Sequence, residues 1–459
     1  MSSFALVRSH RPYVRMDSVE RNVYAGLLSR EEWCDIIAKK LQTSGFYLLE
    51  TNIGLLNEDQ MGFMGDHLKL QATVLLHEGN QKQKLEFFGK SVPMKNKAFQ
   101  EYVETIQAFK KEAGFFVNVL PDLKKYMIKS KQTLEDEGDS SAHFWTCECY
   151  LSKPDIIVLE DLVALGFQHT DARSPMDYDH CILALQTLAR FHAASLISEE
   201  RRPRISASGK TCQIIDTYPD IFFETEWVTT EGHPGNRYMK ASLKGMMSML
   251  EYLPNYGRDY ESYDVICKKL PQTMEQICEF VKPSTKFRNA VCHGDLWVNN
   301  IFFKYNDRNK PIEARFVDFQ LIRYNPPASE VMWFLHLVTT KHFRESNMDV
   351  FLATYYQTLS SELLHHHLDA DVLLPWSEFT ESCNFYQTAG RMAAALYFQQ
   401  CMMTGEYLKK VFSDPSHMTM FQLTDKSQYL IECYQNDPVF RERNTEVLEE
   451  MIEYCILNK

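Results

Sequence analysis

One stretch constrains this chain more than any other. His293-Gly294-Asp295-Leu296-Trp297-Val298-Asn299-Asn300 is followed by a short hairpin that returns at Val317-Asp318-Phe319. Ala290-Val291-Cys292 forms an apolar approach to the loop. Residues 299–305 (NNIFFKY) and 312–319 (IEARFVDF) read as paired strands around the polar turn 306–310, because aromatic and branched residues flank turn formers. The return of the hairpin predicts that Asp318 comes back beside Asn300. A lone Asp or Asn in a loop is ordinarily a turn or cap residue. His-x-Asp-x-x-x-x-Asn followed by a hairpin ending in Val-Asp-Phe is a much rarer combination.

The flanks differ from each other. Before the loop, 46–50, 70–76 and 85–92 read as strands, with a polar turn at 80–84. A helix is predicted from about Asn96 to Leu120, stopped by Pro121, since proline ends most helices. Residues 144–152 and 156–162 form a second hairpin through Lys153-Pro154-Asp155. Beyond it, 177–197, 328–340 and 378–404 carry apolar faces at helical spacing. A chain of 459 residues is too long for one compact core. The expectation is an α+β, bilobal fold: an N-terminal extension (1–44), a β-rich N-lobe (45–160) and a mainly helical C-lobe (161–459) carrying the catalytic loop and acceptor site.

Phosphoryl transfer from ATP needs a group to orient the attacking hydroxyl, ligands for a metal, and cations on the triphosphate. Asp295 is placed to accept the substrate proton. Asn300 and Asp318 offer the hard oxygens that Mg2+ takes, and His293 is expected to brace the loop. Net charge is -12, from 61 acidic and 49 basic residues. That argues against a nucleic-acid partner, which needs Lys and Arg on its phosphates. No Gly-x-Ser-x-Gly elbow, Walker-type phosphate loop or dinucleotide fingerprint is present. The first residues show no apolar signal core, and no stretch was expected to span a membrane. Twelve cysteines then read as free thiols in a reducing, cytoplasmic setting; Cys147 and Cys149, without a second pair, make a poor zinc site.

VCHGDLWVNNIFFKY together with FVDFQ resembles the choline kinase-like family, specifically its ecdysteroid kinase-like branch. That family is related to aminoglycoside phosphotransferases and more distantly to protein kinases. LEFFGKSVP resembles the strand of the ATP-binding lysine, FKKEAGFFVNVLP the helix of its glutamate partner, IIVLEDLVALGF the hinge and LARFHAASL the helix after it. The similarity runs from about residue 45 to 420. It implies a protein-kinase-like fold with a nucleotide-binding N-lobe, and ATP and Mg2+ as cofactors. It also implies Asp295 as base, Asn300 and Asp318 as metal ligands, Lys90 on the phosphates and Glu112 as its partner. Glu160, Asp161 and Leu162 would offer backbone groups to adenine. The acceptor implied is a hydroxyl of a small lipophilic molecule: an ecdysteroid, another steroid or a xenobiotic alcohol. Two other readings are a catalytically silent binding or scaffold protein, and a choline- or aminoglycoside-type kinase with a polar acceptor and an acid-rich pocket.

Three departures accompany the resemblance. The phosphate-covering turn is best matched by Met64-Gly65-Asp66-His67, whose single glycine, Gly65, stands beside an acid. Gln320 follows Asp318-Phe319 where protein kinases have glycine, and Glu330 stands where the family often has aspartate. Acceptor contacts are expected in the irregular segment 214–260, with Trp227, Tyr238, Phe385 and Tyr386 as candidate aromatic lining. His192 is read as a packed core histidine, and His365 to His367 as a solvated helix face.

Overall fold

The computed structural model describes residues 24, 26–56, 65–93, 97–127, 145–202 and 212–458. Strands β1 (Phe46–Leu55), β2 (Asp66–Leu76), β3 (Lys82–Ser91), β4 (Cys149–Lys153) and β5 (Ile156–Glu160) form one antiparallel sheet in the order β1-β2-β3-β5-β4. Along β2, Leu68, Leu70, Ala72 and Val74 are buried and their neighbours are not, which is the period-two pattern of a sheet with one covered face. Helix α1 (Arg30–Leu41) covers that face with Trp33, Ile36 and Ile37. It begins at a capping box between Ser29 and Glu32, so its start is written locally. It lies in the stretch read as an N-terminal extension, yet it shares one core with the sheet.

β1 and β2 extend past the predicted strands because their ends pair by backbone, down to Leu55 with Leu68, and this pairing is indifferent to side-chain pattern. The predicted single helix after β3 is three pieces: α2 (Lys97–Thr105), α3 (Ala108–Gly114) and α4 (Leu120–Met127), with a π-helical turn at Phe115–Val119. Gln107, at φ 55°, breaks the first junction. Pro121 does not stop the helix. It sits in the first turn of α4, where a missing N–H is tolerated because the helical ladder has already been interrupted.

The C-lobe is built on α5 (Tyr178–Arg201), whose residues from Cys181 to Glu199 are mostly buried. By length and hydropathy α5 could cross a membrane, but 78% of that window is buried inside the protein. It is a core helix. Helix α7 (Pro327–Val338) packs against α5 and against α8 (Trp376–Cys401), and α6 (Pro234–Leu250) packs against α8 and α9 (Ser427–Asn436). The segment 214–260 is therefore irregular only in part, at 223–233 and 251–260 on either side of α6. His233 caps α6 and Pro234 opens it, a start signal that the aromatic residues nearby obscure. Two small ladders complete the lobe: β6 (Ala290–Cys292) with β9 (Arg323–Asn325), and β7 (Ile301–Tyr305) with β8 (Pro311–Phe316).

The β7–β8 hairpin meets the hinge between the lobes. Gln168 and Phe303 exchange backbone bonds of 2.8 Å, Phe316 N–H donates to Trp145 at 2.7 Å, and Arg315 pairs with Glu160 at 2.9 Å.

Candidate active site

The loop after β6 is held on both sides of Gly294. Gly294 has φ 81°, and a Cβ there would lie 2.0 Å from the Leu321 carbonyl oxygen, so only glycine fits. The His293 and Gly294 N–H groups donate to the Glu330 carboxylate at 2.9 and 2.6 Å. His192 Nε2–H donates to the same carboxylate at 2.9 Å, and the Tyr355 hydroxyl donates to His192 Nδ1 at 2.6 Å. Glu330 thus reaches the loop despite its extra methylene. On the other side, Arg323 donates to the Gly294 carbonyl at 2.5 Å and to Glu224 at 2.6 Å. Two histidines are fixed by this wiring. His192 is a buried, bonded core residue. His293 donates from Nε2 to the Val317 carbonyl at 2.8 Å and accepts the Asp295 N–H at Nδ1. Burial holds the His293 ring below its ordinary pKa, so it is a neutral strut between the loop and the strand end before Asp318.

The polar groups converge. Asn300 donates its amide N–H groups to the Asp295 carbonyl at 2.7 Å and carboxylate at 3.1 Å, which leaves its Oδ1, an acceptor oxygen, outside these bonds. Val317 N–H donates to the Asn300 carbonyl, so the hairpin does return Asp318 to Asn300. Asp318 itself lies in the left-handed region at φ 71°, a conformation Asp tolerates better than most residues and one that collects at functional sites. Lys90, on β3, donates to Asp318 at 2.5 Å and to Glu112, on α3, at 2.6 Å. Burial opposes the Lys90 charge, but Asp318 and Glu112 outweigh it and hold the ammonium above its ordinary 10.5. Phe319 stacks on Phe115 at 3.9 Å and meets His293 at 4.4 Å, which couples the Glu112 helix to the loop through a dry aromatic contact.

Asp295 is driven up to about 7, first by burial and then by Asp318, against bonds from Tyr397 and Gln320 and the charge of Arg323. Gln320 also lies 3.4 Å from Lys90 Nζ. The residue that departs from protein kinases therefore bridges the cation and the carboxylate.

Gly65 opens β2 against Lys90; Met64, its predecessor in the expected turn, lies outside the described residues. A Cβ at Gly65 would stand 2.8 Å from the Ser91 carbonyl and 3.3 Å from Lys90 Cγ and Cε. Asp66 accepts the Tyr24 hydroxyl at 2.9 Å. Gly65→Ala is expected to cost about 1–3 kcal/mol in denaturant melts through this overpacking, and to weaken any ligand that needs Lys90 in place. At the hinge, Glu160 N–H donates to Glu148, and the Leu162 carbonyl accepts Leu165 and Phe167. Asp161 accepts the Ala164 N–H. These bonds commit the Glu160 N–H and the Leu162 carbonyl and leave the Asp161 backbone groups and the Leu162 N–H outside them.

Glu224, Glu226, Arg323 and Tyr397 carried no sequence signal; each is an ordinary residue until tertiary folding surrounds Asp295. Trp227 and Tyr238 meet at 6.0 Å on this side of the loop. Phe385 and Tyr386 do not: they pack with Phe280 and Phe287. His192, Cys292 and Glu330 offer ligand atoms within 4.8 Å of one another, but Glu330 is already bonded to His192 and two backbone N–H groups. His365 and His367 are exposed while His366 is buried, so the three do not form one solvated face.

The family model described as ecdysteroid kinase-like matches residues 60–368. No curated protein matches the chain. Among the solved structures similar to it are these two. One is a Plasmodium vivax ethanolamine kinase, at 10% identity over 86% of this chain and 83% of that one, with a TM-score of 0.37. The other is a choline/ethanolamine kinase family protein from Mesorhizobium loti, at 10% identity over 87% and 92%, with a TM-score of 0.32.

Proposed function

The chain belongs to the ecdysteroid kinase-like family, and from that premise we propose that it transfers a phosphoryl group from ATP to a hydroxyl of a small lipophilic molecule. The observation that carries this reading is the convergence of Lys90, Glu112 and Asp318 within 2.6 Å contacts, beside Asp295 on a rigidly held loop. The donor set suits magnesium. Asn300 presents an amide oxygen because its nitrogen is anchored, and Asp318 presents the carboxylate oxygen that Lys90 does not engage; both are hard ligands. Mg2+-bound ATP supplies the phosphoryl group and neutralises charge on it.

The chain's own residues do the rest. Lys90, kept charged by two carboxylates, is the cation for the phosphates, and Glu112 positions it from α3. Asp295 takes the proton of the acceptor hydroxyl, its carboxylate oriented by Tyr397 and Gln320. Glu330 and Arg323 fix the peptide before it, so little reorganisation accompanies the transfer. Trp227, Trp333 and Tyr397 lie within 6.4 Å of one another on the Asp295 side, which supports an acceptor with an apolar skeleton. All twelve cysteines are free, in keeping with a reducing, cytoplasmic setting.

ATP with Mg2+ should raise the melting temperature, since a ligand that binds only the folded state stabilises it. Asp318→Asn is expected to abolish most of that rise. An unchanged rise would remove Asp318 from the nucleotide site, and no rise in the parent chain at millimolar ATP and Mg2+ would favour a silent scaffold. Screening hydroxylated molecules for phosphate incorporation then identifies the acceptor.

A further inference from the structure

The helix that carries Glu112 packs with a different core from the strand that carries Lys90. Tyr102 and Val103 of α2 and Phe109 of α3 share one buried apolar cluster with C-lobe residues that include Trp227 and Trp333. The covered face of the sheet, with Leu85 and Phe87 of β3, is a second cluster. The 2.6 Å bond between Lys90 and Glu112 therefore joins two packed units, and it forms only where α3 is turned to face β3. Successive residues of a helix point about 100° apart, so an anchor at the position next to Glu112 fixes that rotation.

Lys111 is such an anchor. It is 1% exposed, and its Nζ donates to the Phe223 carbonyl at 3.0 Å. Burying an ammonium against a neutral carbonyl is costly, and burial lowers Lys111 to about 8, with Glu224 the chief charge opposing that fall. Packing alone does not account for a lysine here. The segment it reaches, 223–226, is tied on two sides. Toward α2 and α3, the Thr225 hydroxyl donates to the Ile106 carbonyl, and the Tyr102 hydroxyl donates to Glu226 at 3.4 Å. Toward the catalytic loop, Arg323 donates to the Glu224 carboxylate at 2.6 Å and to the Gly294 carbonyl at 2.5 Å, next to Asp295. The other Glu224 oxygen accepts the Glu226 and Trp227 N–H groups at 2.8 and 3.0 Å, which keeps the segment in one shape. A Cβ on Gly235, in the first turn of α6, would lie 2.0 Å from the Glu226 carbonyl oxygen, so α6 seats the segment at an approach that only glycine allows.

We propose that Lys111 is a positioning residue: through the Phe223 carbonyl it sets the rotation of α3, and so places Glu112 against Lys90 in step with the loop of Asp295. It acts through Glu112 and not on the reactants. The proposal rests on the kinase reading for what the Lys90–Glu112 pair does, but not for how the pair is placed.

Two measurements on the full-length chain separate these claims. Lys111→Met keeps the apolar stem and removes the donor. In its crystal structure the Lys90–Glu112 pair is expected to open from 2.6 Å to beyond hydrogen-bond reach; a pair still closed, as in the parent chain, overturns the proposal. Mg2+-ATP is then titrated calorimetrically. Lys111→Met should bind it about tenfold more weakly than the parent chain. In a Glu112→Ala background it should cost nothing further, because two residues that act through one contact are not additive. The same loss in both backgrounds would mark Lys111 as a structural residue only and overturn the proposal. If Lys111→Met does not fold, Lys111→Gln, whose arm is too short for the same bond, decides by the same two readings. A parent chain that binds no Mg2+-ATP at millimolar concentration is the failure of the kinase reading; the placement of the pair is then decided by the crystal structure of the variant.

Discussion

Asp295→Asn is expected to lower turnover by about 10²–10⁴-fold, the usual worth of a positioned general base, while the ATP- and Mg2+-dependent melting shift persists. The asparagine keeps the shape of the side chain and removes only its capacity to take a proton. Its effect on stability should run the other way. Burial and the neighbouring Asp318 push Asp295 from its ordinary 3.8 up to about 7. A raised carboxylate binds its proton more tightly folded than unfolded, so its contribution declines as pH rises from about 3.8 to 7 and stays unfavourable above that. Replacing it with a neutral isostere should leave the melting temperature at pH 8 equal or higher. The same sign shapes the activity of the parent chain: the base is ionised only above its raised pKa, so turnover should climb with pH on an acid limb lying above 3.8. Rapid phosphate-transfer assays across pH, paired with melts, check both halves. Turnover that survives the substitution would take the base role from Asp295.

Glu330→Ala is expected to be the most destabilising single change near the site, at about 3–5 kcal/mol. One buried carboxylate satisfies the His293 and Gly294 N–H groups and His192 together, and truncation strands all three. Burial works against the Glu330 charge, but His192, His293 and the Gly294 N–H outweigh it and hold the carboxyl below its ordinary 4.5. A depressed carboxylate contributes stability that is present above about 4.5 and is lost as pH falls through the folded value. The gap in denaturant melts between the parent chain and Glu330→Ala should therefore narrow as pH is lowered from 7 to below 4.5. Glu330→Asp, with a shorter arm, should recover part of the loss and part of the turnover. Equal stability of Glu330→Ala and the parent at pH 7 would show that the loop is held by other contacts.

Several elements were legible because their cause is local. The hairpin of residues 299–319 follows from strand-forming residues around a polar turn, and it is what returns Asp318 to Asn300. The α1 capping box and the alternation along β2 belong to the same class. Pro121 misled because a proline reads as a stop only when the ladder before it is intact, and the π-helical turn at Phe115–Val119 has no pattern of its own. The α5 helix shows the reverse ambiguity: its apolar surface is equally suited to lipid and to a protein core, and only its neighbours decide.

The sequence by itself determined the bilobal α+β plan and the short list His293, Asp295, Asn300 and Asp318, because those residues are close along the chain and their spacing is chemistry. It named Lys90 and Glu112 only through resemblance; 22 residues separate the two and 228 separate Lys90 from Asp318, distances at which no local pattern survives. Tertiary structure alone decided that Glu330 and Arg323 grip the N–H and the carbonyl of Gly294, that Gln320 bridges Lys90 and Asp295, and that Lys426 lies against Tyr238. Those roles come from burial and from partners supplied by distant helices, and a buried charge acquires its meaning only from what surrounds it.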